Sequence, residues 1–248
     1  MKALCLILAL VAGQAWGAFA PGTQCLIDAE DNLLDSAGLN NATLSGSANY
    51  QTDGAWHGSK AFRSSAGSFT LPTGVVNPSG GTLELSFRQQ TGVGGNKILY
   101  SIAAASGSRA LEIYCFNGAS FYAYGNGAGG TNTAFYNSVT NNTNYYIKDT
   151  WDGAGNRQIW LGVWTVAGTV TLTQYFNSTC SSLATPSAVY FANSSVGAGT
   201  DGGFDWVRFR NVYDNTGTVT IDTTGAAQLS PYILNSNSNR MMPKWWFK

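Results

Sequence analysis

One histidine, three glutamates and four cysteines are all that this chain of 248 residues offers to several kinds of chemistry. Each shortage excludes something. Lysine plus arginine number 13 and aspartate plus glutamate 13, so charge is sparse and balanced. That balance excludes nucleic-acid binding driven by phosphate neutralisation. His57 and scattered cysteines cannot build a zinc site of ordinary ligand spacing. A Ser-His-Asp triad would have to use His57, yet no serine stands in a nucleophile elbow such as G-x-S-x-G. In Trp56-His57-Gly58 the histidine reads as a hydrogen-bonded loop residue. The glutamates, Glu30, Glu84 and Glu112, stand apart in the sequence, whereas retaining glycosidases need two carboxylates about 5 Å apart. Aspartate pairs remain for such chemistry: Asp149 with Asp152, or Asp201 with Asp205. The first pair flanks a hairpin tip and reads as turn residues.

Long apolar runs are missing beyond the N-terminus, so no later segment suggests a membrane span. The start, MKALCLILALVAGQAWGAFA, has Lys2, an apolar stretch from Ala3 to Ala12, and Ala15-Trp16-Gly17 as a small-x-small signal. It reads as a secretory signal peptide over residues 1–17, with Ala18 and Ala20 as neighbouring cleavage options. A secreted or cell-surface location is the corresponding expectation. The remaining chain of about 230 residues suits one large β domain or two small ones.

Cys5 leaves with the leader, and Cys25, Cys115 and Cys180 remain, an odd number that allows at most one intrachain disulfide. Cys115 alternates with Leu111 and Ile113 and points into a core. Cys25 and Cys180 lie in polar stretches and are the expected pair. Asn41, Asn141, Asn177 and Asn193 match the glycosylation acceptor pattern, which chance also produces in a chain this rich in Asn, Ser and Thr.

What is plentiful is turn and strand material: 30 glycines, many Ser, Thr and Asn residues, and 13% aromatics. TLELSFR (82–88) alternates Leu83, Leu85 and Phe87 with Glu84, Ser86 and Arg88, a half-buried strand. Similar strands are expected at 97–104, 109–116, 119–125, 144–151, 157–164, 169–176, 187–193 and 204–212. Asn117-Gly118 and the glycine-rich tip at 152–156 mark hairpins. No long amphipathic helix is present; DAEDNLL (28–34) could form one turn. Regular short strands with Gly/Asn turns predict an all-β antiparallel sandwich. After Asp214 the composition turns to Asn, Thr, Ser and Gly, so residues 215–248 read as an extension outside a domain spanning 18–214.

Four segments occur in a familiar order. They are GSKAFRSSAGSFTLP (58–72), TLELSFR (82–88), NYYIKDTWDGAGNRQIWLGV (144–163) and GFDWVRFRNVYD (203–214). In this order the chain resembles the concanavalin A-like superfamily, in its laminin-G-like branch. Asp205, Val207, Arg208 and Asn211 occupy matching places in the closing strand, and Trp151-Asp152 stand in the hairpin, although its usual histidine and leading tryptophan are absent. The resemblance covers roughly residues 26–214 and implies a two-sheet jelly roll, with calcium in many relatives. The glucanases of the superfamily carry a paired-glutamate E-x-D-x-x-E strand that this chain lacks, which argues against that hydrolase class.

The site expectations follow. In FDWVRFRNV, Asp205, Val207, Phe209 and Asn211 form one row and Phe204, Trp206, Arg208 and Arg210 the other. The first row suits a core; the second suits an exposed or groove-lining face, or merely a sheet surface. In RQIWLGVW, Trp160 and Trp164 share a face across Gly162. Trp206, Arg208, Trp160 and Trp164 are therefore the expected ligand-binding residues, for a glycan or a protein surface. Calcium takes oxygen ligands on loops, and Asp152, Asn156 and Asp201 are the candidates. The tail MMPKWWFK ends in Trp245, Trp246 and Phe247 between lysines, suited to self-assembly, to a membrane interface, or to packing back on the sandwich. The reading is a secreted, non-catalytic carbohydrate- or surface-binding adhesion module. The alternatives are a structural subunit docking through this tail and, behind both, a polysaccharide-cleaving enzyme.

Overall fold

The period-two pattern of the sequence becomes two layers of antiparallel strands. The structure, a computed structural model, describes residues 19–219 apart from 39, 48, 53–59, 65–66, 91–95, 105–108, 126–130, 165–169, 180–182, 184 and 194–201. The expected leader, Trp56, His57, Cys180, Asp201 and the tail with Trp245, Trp246 and Phe247 lie outside the described residues. Pro21–Val219 form one compact unit.

The strands in chain order are β1 (Thr23–Asp28), β2 (Thr43–Gly46), β3 (Tyr50–Gln51), β4 (Ala61–Arg63), β5 (Gly67–Leu71), β6 (Gly80–Gln89), β7 (Asn96–Ala104) and β8 (Arg109–Phe116). They continue with β9 (Ser120–Gly125), β10 (Thr131–Tyr136), β11 (Thr143–Asp152), β12 (Asn156–Val163), β13 (Thr173–Thr179), β14 (Pro186–Phe191) and β15 (Gly202–Arg210). Among the described residues the only helical element is a 3-10 turn at Thr73–Val75. The DAEDNLL segment is not helical: Asp31 takes φ 65° and Ile27 bridges to Asp35.

One sheet runs β13-β12-β11-β6-β15-β4-β3, with β1 also paired to β15, and the other runs β10-β9-β8-β7-β14-β5-β2. The protein is an all-β, two-sheet antiparallel sandwich. Leu83, Leu85 and Phe87 of β6 and Tyr145, Ile147 and Trp151 of β11 meet Ile102, Leu111, Ile113, Phe121 and Phe191 of the facing sheet. Each large apolar side chain buried in this way contributes about 1.5–3 kcal/mol. Phe69 stacks on Phe191 at 4.7 Å, and Phe62 meets Phe69 edge-on at 5.4 Å. Asn117 and Gly118 both take positive φ, 52° and 66°, which a tight type I′ hairpin between β8 and β9 requires.

Strand β15 is the seam of its sheet. Gly203 and Phe204 pair with β4, while Trp206 to Arg210 pair with β1. Between them, at Asp205, the register against β6 shifts by a bulge. A bulge breaks the alternation. Phe204 therefore joins Val207 and Phe209 in the core, instead of sharing the face of Trp206, Arg208 and Arg210. The expected pairing of Cys25 with Cys180 is corrected as well. Cys25 is not on a polar surface but fully buried on β1 as a free thiol, its sulfur 3.7 Å from the Asn40 carbonyl. Ile27, on the same face of β1, is buried with it in the core.

Candidate functional site

Strand pairing brings the expected aromatic-cationic residues onto one face. On the outer side of the eight-stranded sheet, Leu26, Arg208, Glu84, Lys148 and Trp160 form one cross-strand row. Asp28, Trp206, Ser86, Tyr146 and Gly162 form the next. Arg208 lies 4.6 Å over the Trp206 ring, which tilts against Tyr146 at 5.9 Å. Trp164 lies just beyond β12, its backbone N–H donating to the Asn144 carbonyl at 3.1 Å.

This face is not open, however. Arg208, Glu84 and Lys148 are fully buried, Trp206 is 3% exposed and Trp164 5%, with Trp160 half-buried. The Arg208 guanidinium is committed to Glu84, with Nη2 at 2.6 Å and Nε at 2.8 Å. Arg210 Nε and the Tyr146 hydroxyl donate to the same carboxylate at 3.2 and 3.1 Å. Residues 212–218 cross above. Thr82 donates to the Val212 carbonyl at 2.7 Å, and Lys148 Nζ reaches Asp214 at 2.8 Å and the carbonyls of Thr216 and Thr218 at 2.8 and 3.2 Å. A Cβ on Gly217 would stand 2.9 Å from the Trp160 ring, so a larger residue there would have to push that ring aside. Burial would raise the Asp214 carboxyl, but hydrogen bonds from Lys148, Thr216 and Arg210 outweigh it and hold the group well below the usual range. Burial pulls Lys148 down. A buried charge is tolerated only when paired and hydrogen-bonded, and the strap completes that pairing.

Between the sheets lies a second buried group. Asp149 is not a turn residue: it points inward from β11 and accepts from Arg157 of β12, Nη2 at 2.5 Å and Nε at 3.0 Å, and from the Tyr100 hydroxyl of the opposite sheet. Arg157 continues across, donating to the carbonyls of Tyr124 at 2.6 Å and Glu112 at 3.5 Å. Burial, and then the Asp149 charge, pushes the Tyr100 hydroxyl well above its ordinary value. Asp152 does cap the hairpin tip. Its carboxylate accepts from the backbone of Ala154 and Asn156 at 2.9 and 2.7 Å and from the Asn156 amide at 2.6 Å. These two expected calcium ligands thus bond to each other, and Asp201, the third, lies outside the described residues.

Carboxylates converge elsewhere. One oxygen each from Asp28, Glu30 and Asp205 lies within 4.8 Å of the others, beside the β15 bulge. Burial, reinforced by the Glu30 charge, lifts Asp28 to about 6. Such an all-oxygen set is of the kind calcium takes. Sequence reasoning considered Asp205 with Asp201 only, because Asp28 sits some 180 residues away and only the β1–β15 pairing joins them.

The outer face of the seven-stranded sheet carries aromatic and polar groups in a different state. Thr70, Tyr190, Ser101, Glu112, Tyr124 and Asn132 form one continuous cross-strand row from β5 to β10. Ser101 and Glu112 are fully buried at its centre, and Tyr190 and Tyr124 are half-buried on either side. The Ser101 hydroxyl has no hydrogen-bond partner. Arg109 donates to Glu112 at 2.9 Å and lies 4.0 Å over the Tyr124 ring. Beside this row Tyr114 stacks on Tyr122 at 5.3 Å, and Phe116, 40% exposed, meets Tyr122 edge-on at 5.7 Å. Arg157 braces the row from beneath through the carbonyls of Glu112 and Tyr124. The signal for this face was present in the alternation of ASFYAYG and RALEIYCF, which sets Tyr122, Tyr124, Glu112 and Tyr114 opposite the core residues.

No family model matches the chain, and no curated protein matches its sequence. Solved structures share its architecture. Domain 4 of AbnA, a GH43 extracellular arabinanase from Geobacillus stearothermophilus, in complex with arabinotriose, matches with a TM-score of 0.57 at 11% identity, over 83% of this chain and 97% of that one. The sialidase of Trypanosoma rangeli, in complex with 2,3-difluorosialic acid, matches at 0.56 and 14%, over 87% and 38%. The receptor-binding domain of botulinum neurotoxin mosaic serotype C/D matches at 0.56 and 8%, over 84% and 50%. This chain thus spans half or less of the last two. At such identities the likeness is one of fold.

Proposed function

We propose that the chain is a secreted, non-catalytic carbohydrate-binding module on a concanavalin A-like, laminin-G-like sandwich. Its binding surface is the outer face of the seven-stranded sheet. The observation that carries this reading is the half-buried Tyr122, Tyr124 and Tyr190 of this face, with the part-exposed Arg109 over the Tyr124 ring and Phe116, 40% exposed, against Tyr122. Sugars present apolar ring faces and dense hydroxyls, and such a face offers aromatic surface beside donors and acceptors. The opposite sheet, which carries Trp160, Trp164, Trp206 and Arg208, spends its polar groups on holding its own strap. That an arabinanase domain of this architecture has been solved in complex with arabinotriose supports the reading.

A non-catalytic role is supported by where the glutamates fall. Glu84 is enclosed by two arginines and a tyrosine, Glu112 lies on the other sheet, and Glu30 sits beside β1. The test is a glycan array with the secreted protein and with Tyr124→Ala and Trp160→Ala. The expected result is a chemically related set of glycans bound by wild type and Trp160→Ala and lost in Tyr124→Ala. Loss in Trp160→Ala alone would return the site to the eight-stranded sheet, and a blank array would defeat the lectin reading.

A further inference from the structure

We infer that the ligand is a linear oligosaccharide of pyranose rings, lying along β9 on a ledge between its tyrosines and strand β10. The inference rests on the glycan-binding reading and narrows it to one end of that face and one class of sugar. The ledge follows from register. Tyr122 and Tyr124 alternate on β9 and so share the outer face. On the β8 side each ring already has a neighbour: Tyr114 stacks on Tyr122 at 5.3 Å, and Arg109 lies 4.0 Å over Tyr124. On the other side stands β10, the edge strand of this sheet among the described residues, which sets Ala134 opposite Tyr122 and Asn132 opposite Tyr124. The Ala134 methyl is too small to cover a tyrosine ring, and Ala134, Tyr122 and Tyr124 are all only half-buried. Each tyrosine thus turns its second face toward β10, beside one methyl and one exposed amide. Phe116, 40% exposed, ends the row: it pairs with Ser120, four residues before Tyr124. At about 3.4 Å per residue the three rings span ~14 Å along β9. Every group the ligand touches is at least partly exposed.

Ligand class comes from the chemistry of the ledge. An open aromatic face takes a flat, apolar partner. A pyranose with equatorial hydroxyls offers one, because its axial C–H bonds line the faces of the ring. A puckered five-membered furanose has no such face. The Asn132 amide supplies both donors and an acceptor for the hydroxyls at the sugar's rim. A monosaccharide covers one tyrosine, whereas a chain along β9 covers both and reaches Phe116.

The experiment is calorimetric titration of the full-length protein with xylo- and cello-oligosaccharides of one to six units, and with arabinofuranosyl oligosaccharides as the furanose arm. Ala134→Leu, Asn132→Ala and Tyr190→Ala are run in parallel, with circular dichroism to verify folding. At least one pyranose series should bind, with affinity rising from the monomer to the trimer and then levelling. Ala134→Leu fills the ledge and should weaken binding about tenfold or more, the effect of losing the stacked contact. Asn132→Ala should weaken it about fivefold, the effect of one lost hydrogen bond. Tyr190→Ala, three strands away on β14, should leave it unchanged. If Ala134→Leu does not fold, the exposed Asn132→Ala decides between the same outcomes. Binding lost in Tyr190→Ala but kept in the two β10 variants would overturn the ledge while sparing the module reading, as would tighter binding of the furanose series. Equal affinity for monomer and hexamer would overturn the extended path along β9. No binding of any series would overturn the inference, and the glycan array then decides the module reading separately.

Discussion

Replacing Arg157 by leucine removes the cation that crosses between the sheets. Asp149 would then remain fully buried with the Tyr100 hydroxyl as its remaining partner from that group. Breaking a buried pair in this way costs about 3–5 kcal/mol, and a domain has only about 5–15 kcal/mol in total. Exchanging both partners, Asp149→Leu with Arg157→Leu, removes the stranded charge. What is left is the Tyr100 hydroxyl and the Tyr124 carbonyl without their arginine or aspartate, about 1–3 kcal/mol for each group left unsatisfied, offset by new apolar burial. The double variant should therefore be more stable than Arg157→Leu alone, with a loss of about 2 kcal/mol against about 4. Urea unfolding of wild type, both single variants and the double variant closes the cycle. If the double variant loses the sum of the two single losses, Asp149 and Arg157 do not act as one unit and the reasoning fails.

Three further outcomes are expected. Asp28, lifted to about 6, binds its proton more tightly folded than unfolded. Its contribution is therefore complete below about pH 4 and is lost as pH rises through 6, roughly 3 kcal/mol at about 1.4 kcal/mol per pH unit. In EDTA, the stability of Asp28→Asn relative to wild type should grow by that amount between pH 4 and 7.5, read from urea midpoints; a constant difference would refute it. Burial pushes the Cys25 thiol far up and Cys115 to about 11. Both should resist a thiol reagent in the native protein at pH 8 and react on unfolding; rapid native labelling of Cys25, read by peptide mass, would contradict its place in the core. Gly202→Ala sets a Cβ against the Phe87 ring and 2.6 Å from the Arg88 carbonyl. It should lower the unfolding midpoint markedly, at a cost of about 1–3 kcal/mol, whereas Gly74→Ala, whose Cβ meets nothing within 4 Å, should not.

The strands were legible wherever alternation was strong. RALEIYCF is β8 as read, and TLELSFR needs only a residue or two at each end to become β6. The short N-terminal strands β2 and β3 and the Thr/Asn-rich β10 carry few apolar residues of their own, and pairing with neighbours makes them strands. Faces were legible until a bulge intervened. Nothing in FDWVRF announces the slip at Asp205 that turns Phe204 inward, because bulges answer to pairing partners. Arg208 was placed on the right face but not in the right state, since its exposure depends on Glu84, 124 residues earlier, and on residues 212–218 passing overhead. Asp149 was mistaken for a turn residue because its proximity to the glycine-rich tip is visible in sequence and its partner Tyr100 is not.

The seam at β15 has a consequence for how such a domain can be joined to other chains. Because β1 and β15 are neighbours, the Asn211 N–H donates to the Gly22 carbonyl at 2.8 Å. The sandwich is a closed loop of chain whose entrance and exit touch, and both lie on the sheet opposite the tyrosine row. It can be spliced into a surface turn of a host protein without stretching that turn, presenting the row away from the junction. The same proximity makes the order of strands dispensable. A circular permutant opened at the Gly153–Gly155 tip, with a glycine-serine bridge from residue 219 back to residue 21 long enough to keep residues 212–218 over Lys148, should fold to the same two sheets.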